Sequence, residues 1–194
     1  MYELFLFYYT CWLLVVIIYF FMQKTIFRLF SLVWIFLIII TASSSFSVFF
    51  LQISVAYIVV VIGALFLSAA TSLTFYEYFV GFTCMIGYAA IVIWELIAPI
   101  WFFLPLLLIV SPVIVIVLCL CIRETRNRIV LALLSLALGQ LVFDIILIHY
   151  QIDHMIGTLQ QMTILSTTLI LLTVVEGCKQ LFEMMIQQIK SMAS

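Results

Sequence analysis

The chain has very little charge: of its 194 residues only 8% are Asp, Glu, Lys or Arg, while 69% are hydrophobic. A soluble domain carries about 25% charged residues. Surface-to-volume scaling leaves a fold of this size too much surface to keep so much apolar material dry. The shortage of charge therefore excludes a soluble globular domain, and the mean hydropathy of +1.45 agrees. Basic excess is also missing. The net charge of −1 gives no electrostatic footprint for a nucleic-acid partner. No polar stretch is long enough to form a separate soluble domain, so residues 1–194 are read as one transmembrane domain.

Other absences narrow the reading. Cys11, Cys84, Cys119, Cys121 and Cys178 fall mostly inside apolar runs, and Cys119-Leu-Cys121 lacks the spacing of a zinc or redox motif. They are read as small packing residues. The start, "MYELFLFYYTCWLL", carries the acid Glu3 and no basic segment ahead of its apolar run, unlike a cleavable signal. Period-two alternation of the kind found in membrane barrels is not evident in the long runs. Instead "CWLLVVIIYFFM" and "LIVSPVIVIVLCLCI" are apolar on every side. Such runs mean helices, which satisfy their own backbone in lipid. No internal repeat of the transporter type stands out.

What is present is an all-α, polytopic helical bundle of about seven spans. The expected helices are Leu4–Met22, Thr25 to the serines at 43–45, Val48–Ser72, Tyr78–Ala98, Ile100–Ile122, Ile129–Tyr150 and Met162–Gln188. Pro99 stops the fourth, because the residue before a proline avoids helical angles. Pro112 should kink the fifth. The alternative is six spans with a re-entrant or kinked segment near Pro99–Pro112. Basic residues favour seven. Lys24 and Arg28 follow the first span, and Arg123, Arg126 and Arg128 follow the fifth. With four spans between them, both clusters and the late Lys179 and Lys190 reach one side, which the positive-inside rule makes cytoplasmic. The N-terminus is then outside and the C-terminus inside. Lys24, Arg28, Arg123, Arg126 and Arg128 are read as a cytoplasmic anchor, with affinity for anionic headgroups.

On this topology the acids Glu95 and Asp144 occupy the outer leaflet. Intramembrane acids are costly and tend to face protein or water. Gln140 and Asp144 are four residues apart and share a helix face. Tyr88 lies on the Glu95 face of the fourth helix, two turns away. His149, Asp153 and His154, in the loop "HYQIDH", complete a candidate polar pocket with Glu95, Asp144, Gln140 and Tyr88. No basic residue is available outside to pair with these acids. They must be protonated, hydrogen-bonded, hydrated or bound to a cation. A structural or interfacial role for Glu95 and Asp144 stands beside the functional one. His149, Asp153 and His154 have metal-ligating chemistry, but such residues are common at interfaces without metal, and neither a metal site nor a cofactor is assigned. Glu176, Lys179 and Glu183 are spaced as an ion-paired stripe on the last helix. Small residues, Ala64-Ser68-Ser72, Ser135-Gly139, Gly81 and Gly87, mark expected close helix contacts.

The aromatic first helix ending in "QKTIFR", the segment "MIGYAAIVIWELIAPIW" and the late "GQLVFDIILIHYQI" together resemble the YphA group of small bacterial integral membrane proteins. The resemblance covers most of the length. It implies a multi-pass protein of the bacterial cytoplasmic membrane and transfers no site residues.

Three functions are compatible with these residues. The first is a non-enzymatic accessory or scaffold protein, with the bilayer and a membrane-protein partner or a second copy as its contacts. The alternative is a small proton- or cation-coupled carrier or channel using Glu95 and Asp144. The weakest is a membrane enzyme, since no acidic metal motif with a basic phosphate clamp and no Ser–His arrangement is present.

Overall fold

The computed structural model describes residues 2–21, 26–48, 51–101, 103–152 and 155–192. Among them are seven α-helices, a 3-10 turn and three short strands. The first two helices, α1 (Tyr2–Phe21) and α2 (Ile26–Thr41), are close to the expected ones.

The next segment is a correction. The helix expected from Val48 begins only at Val55, and residues ahead of it form a hairpin. Strand β1 (Ser45–Val48) pairs antiparallel with β2 (Leu51–Ser54), placing Ser45 opposite Ser54. A two-residue strand, β3 (Met155–Ile156), joins β2 in parallel. The reason is written in the residues. Ser45-Phe46-Ser47-Val48 and Leu51-Gln52-Ile53-Ser54 alternate polar and apolar with period two, which suits a pleated strand and splits a helix's faces.

Helix α3 (Val55–Ala69) runs into α4 (Phe75–Ile97) through a short turn. A capping box starts α4: the Glu77 amide donates to Thr74 Oγ1 at 3.4 Å, and the Glu77 carboxylate accepts the Thr74 amide at 2.8 Å. Its end lies where Pro99 demands it, with Ala98 out of the helical region. The fifth helix does not begin at Ile100. A 3-10 turn (Pro99–Trp101) comes first, and α5 (Leu106–Cys121) starts behind Pro105, whose ring is suited to a helix start. Pro112 sits inside α5, and the helix continues past it.

Helix α6 (Thr125–His149) begins four residues before the expected Ile129, so Arg126, Asn127 and Arg128 form its first turn rather than a loop. The turn after α6 carries Gln151 and Gly157 at positive φ. Glycine is required at 157, since a Cβ there would collide with Tyr57. Helix α7 (Leu159–Met192) starts three residues earlier than expected.

Among the described residues three helices are long and apolar enough to cross a membrane: Phe75–Ile97, Thr125–His149 and Leu159–Lys179. Four shorter apolar helices accompany them. Of the three long ones α6 is the most enclosed, packing against α3, α4, α5 and α7. On the far side of α7, α1 packs against it and against α2, which reaches α3. The fixed core follows α6, with Leu131, Ala132, Leu136 and Ala137 fully buried. Large apolar side chains such as Phe5, Phe20, Phe79 and Leu120 point outward, the arrangement a bilayer tolerates and water does not.

Arginines gather at one end. Arg28 donates to the Tyr19 carbonyl at 3.3 Å, and its guanidinium lies 5.5 Å from the Tyr19 ring centroid. Arg126 reaches the Ala70 carbonyl beyond α3. The sheet lies toward the opposite end, where α3 begins and α6 finishes.

Candidate functional site

Two polar constellations form around α6. At the arginine end, Arg128 is only 7% exposed. Its Nε donates to the Ile122 carbonyl at 2.8 Å, closing the end of α5, and its Nη1 lies 3.2 Å from Glu176 Oε2 on α7. Beside it, the Asn127 amide donates to Glu77 Oε1 at 2.7 Å, joining α6 to the capping box of α4. These contacts revise two expectations. Arg128, expected as part of the cytoplasmic anchor, is instead buried and bonded to Ile122 and Glu176, because α6 starts early enough to turn it inward. Glu176 pairs with Arg128 across helices, while Lys179, its expected partner, is exposed. Arg123 is exposed, as an anchor would be, whereas Lys24 and the Glu183 side chain lie outside the described part.

The second constellation lies halfway along α4 and α6 and continues toward the opposite end. Tyr88 Oη donates to Gln140 Oε1 at 2.8 Å, and Gln140 Nε2 donates to Asp144 Oδ1 at 2.8 Å. All three side chains are at most 2% exposed. Tyr88, two turns from Glu95 on α4, therefore makes its direct bond across to α6. Parallel packing of α4 and α6 decides this by setting Tyr88 level with Gln140. A second tie is near: Tyr57 Oη donates to the Ala137 carbonyl at 2.8 Å, fixing the start of α3 to the middle of α6.

Tyr88 and Gln140 also form part of the wall of a cavity of about 430 Å³ between α4, α5, α6 and α7. Glu95 lies on the same wall. It is half-buried and makes no hydrogen bond or ion pair among the described residues. Thr158, just ahead of α7, and Gln160 and Gln161 in its first turn also line the cavity. Gln161 is 3% exposed, and among the described residues neither its Nε2 nor its Oε1 has a hydrogen-bond partner. Val92, Leu96, Pro99, Leu106, Phe143 and Ile164 supply the apolar remainder. Among the described residues that line the cavity there is no Lys, Arg or His.

The expected pocket is thus partly assembled. Glu95, Tyr88 and Gln140 share one cavity, and Asp144 is joined to it through Gln140. His149 is exposed at the end of α6, its ring edge-on to Tyr150 at 5.8 Å, and does not line the cavity. Helical rotation explains the difference: five residues after Asp144, His149 points away from that face. Asp153 and His154 lie outside the described residues. Gln160 and Gln161 are not among the expected site residues, because an α7 starting at Met162 leaves "LQQ" in the preceding loop. Among the described residues no group of three His, Cys, Asp or Glu side chains is close enough to hold a metal.

The model of the YphA-like integral membrane protein family matches residues 3–194. The chain belongs to that family. Comparison with curated proteins and with solved structures returns no match. Membership makes this YphA-like chain an integral membrane protein and explains its outward apolar side chains as lipid contacts. In a bilayer, a buried amide without partners and a carboxyl without a counter-charge have little water to fall back on. The cavity is where such groups meet in the YphA-like fold.

Proposed function

We propose that this chain is a non-enzymatic protein of the bacterial cytoplasmic membrane. In this reading it has seven spans, the N-terminus is outside and the C-terminus inside, and it binds a small cation on its outer side. The topology is supported by the arginines gathered at one end of the bundle. Cation binding rests on one observation: Glu95 faces a cavity to which, among the described residues, no positively charged side chain contributes. A carboxylate held there gains most from a mobile positive partner, because Coulomb attraction strengthens as the surroundings become less polar.

Binding suits an accessory role, in which the chain holds a ligand or a partner in a defined state. At the arginine end, Arg128, Asn127 and Glu77 are spent on ties between helices. A coupled carrier is the second reading. It is favoured by the hydrogen-bonded series Tyr88–Gln140–Asp144, which leads from the cavity wall to a second acid.

The test is thermal unfolding of the purified protein in detergent, in the presence of inorganic and organic cations. Cation binding should raise the midpoint in proportion to the logarithm of concentration once the site is saturated. Glu95→Gln should abolish the rise. If no cation stabilises the parent more than Glu95→Gln, the binding reading fails. Flux into liposomes separates the two roles, since only the carrier requires Glu95-dependent transport.

A further inference from the structure

The cavity says more about its ligand than the sign of its charge. This inference rests on the cation-binding reading above. A bare divalent ion of calcium type takes six to eight oxygen ligands at about 2.3–2.6 Å. The cavity instead measures about 430 Å³ and, among the described residues, offers one carboxyl, Glu95, on its wall. That volume falls in the range of small-molecule sites, roughly 300–1,000 Å³.

Its walls are also divided by chemistry. Glu95 and the glutamines Gln160 and Gln161 are polar, while Val92, Leu106, Phe143 and Ile164 are apolar. Gln161 is the decisive residue. Its amide has both donor and acceptor unpartnered among the described residues, at 3% exposure. A buried amide left unpaired is destabilising, so such a group needs a partner. The amide of Gln140 does not compete for this part, because it is already engaged between Tyr88 and Asp144. A carboxylate or phosphate on the ligand would find no positive side chain among the described residues of the cavity wall and would share the cavity with Glu95, a group of like charge.

We propose that the α4–α5–α6–α7 cavity binds an organic ammonium compound with an apolar body and a neutral hydrogen-bonding group. Glu95 provides the counter-charge and Gln161 reads the neutral group. The amide of Gln161 can donate to a carbonyl and accept from an N–H at once, so a carboxamide is the group it complements best. The apolar body lies against Phe143 and Ile164.

L-Leucinamide is a suitable probe, having an ammonium, a carboxamide and a branched alkyl chain. Two relatives each change one feature: L-leucine carries a carboxylate, and 4-methylpentanamide lacks the ammonium. Isothermal titration in detergent should give leucinamide binding about tenfold tighter than either relative. Glu95→Gln should weaken leucinamide by about tenfold while leaving 4-methylpentanamide unchanged. Gln161→Leu should weaken leucinamide by about fivefold, and this variant should fold at least as stably as the parent because it removes the unpaired amide.

Glu95-dependent binding of sodium, potassium or calcium with no response to leucinamide would overturn the ammonium assignment and leave the cation reading standing. Equal binding of leucine and leucinamide would overturn it too. No Glu95-dependent binding of any cation would overturn both. Ammonium groups also occur on ethanolamine lipids. Nanodiscs with and without phosphatidylethanolamine distinguish that source: because this headgroup carries a phosphate, Glu95-dependent stabilisation by the lipid alone would overturn the neutral-group assignment, whereas its absence alongside leucinamide binding supports a free amine.

Discussion

Individual polar residues carry the specificity of this fold, because lipid-facing apolar side chains discriminate little between one helix partner and another. Tyr88, Gln140 and Asp144 form a directional series in which each donor is matched to an acceptor. Tyr88→Phe keeps the ring and removes the only hydrogen that Tyr88 gives to Gln140. The expected loss is about 1 kcal/mol, the usual size for a buried hydrogen bond with one partner left behind. Unfolding in mixed detergent and denaturant measures it, and an unchanged midpoint would show that Gln140 is satisfied elsewhere. The pairing of Gln140 with Asp144 was legible from their spacing of four. Tyr88 as the donor was not, since no local rule states that two helices separated by residues 98–124 pack in parallel register and bring together side chains 52 positions apart. Arg128 teaches the same lesson. As one of the basic residues in "RETRNR" it looked like an anchor, and only the early start of α6 turns it toward Ile122 and Glu176.

At the scale of elements, glycine separates contacts that sequence alone treats alike. Gly139 lies where α6 meets α4: a Cβ there would sit 2.9 Å from the Met85 carbonyl oxygen and 2.8 Å from the Tyr88 ring. A backbone oxygen cannot turn aside. Gly139→Ala should therefore destabilise by roughly 1–3 kcal/mol, as overpacking does, and should disturb Tyr88 as well. Gly87, expected to mark a close contact in the same way, has nothing within 4 Å of its would-be Cβ. Gly87→Ala should be neutral or stabilise by up to about 1 kcal/mol through helix propensity. Paired thermal unfolding curves decide the contrast, and a larger loss at Gly87 than at Gly139 would sink it. The small-residue series Ala64-Ser68-Ser72 is likewise only partly used. Ala64 and Ser68 are buried, but α3 ends at Ala69 and Ser72 is exposed beyond it. The hairpin is the element most completely missed. Its period-two alternation covers only four residues per strand and lies between long apolar runs, so the helical signal on either side overwhelmed it.

For the whole molecule, the proposed topology makes a simple demand: loops must alternate between the two sides. In a cysteine-free background, Gln151→Cys in the turn after α6 should react with an impermeant maleimide on intact cells. Glu124→Cys, at the start of α6, should react only after the membrane is opened. Labelling of both from outside, or of Glu124→Cys alone, would reverse or break the N-out, seven-span arrangement. Four of the helices are shorter than the three that meet the length and hydropathy of a span. A helix of 16 residues is about 24 Å long, against a hydrocarbon core of about 30 Å. The hairpin beside α3 and the segment from Pro99 to Pro105 add chain at the ends of short helices, so the bundle need not rely on helix alone to cover the bilayer thickness. Labelling at both ends of α3 and α5 therefore tests the spans for which helix length is least informative.

Sequence by itself determined the solvent this chain requires. With 69% hydrophobic residues and 8% charged, no arrangement of the chain could satisfy water. It also determined where helices stop, because Pro99 acts on the residue beside it, and which acids lie deep in the apolar runs. Those are properties of composition and of neighbours along the chain. Tertiary structure alone decided which polar residues meet. Glu95, Gln140 and Gln161 come from three helices and share a cavity because α4 and α6 run side by side and α7 begins against them. The physical reason is the same throughout: burial and hydrophobicity are summed over the chain, whereas a hydrogen bond exists only at one distance and angle between particular atoms.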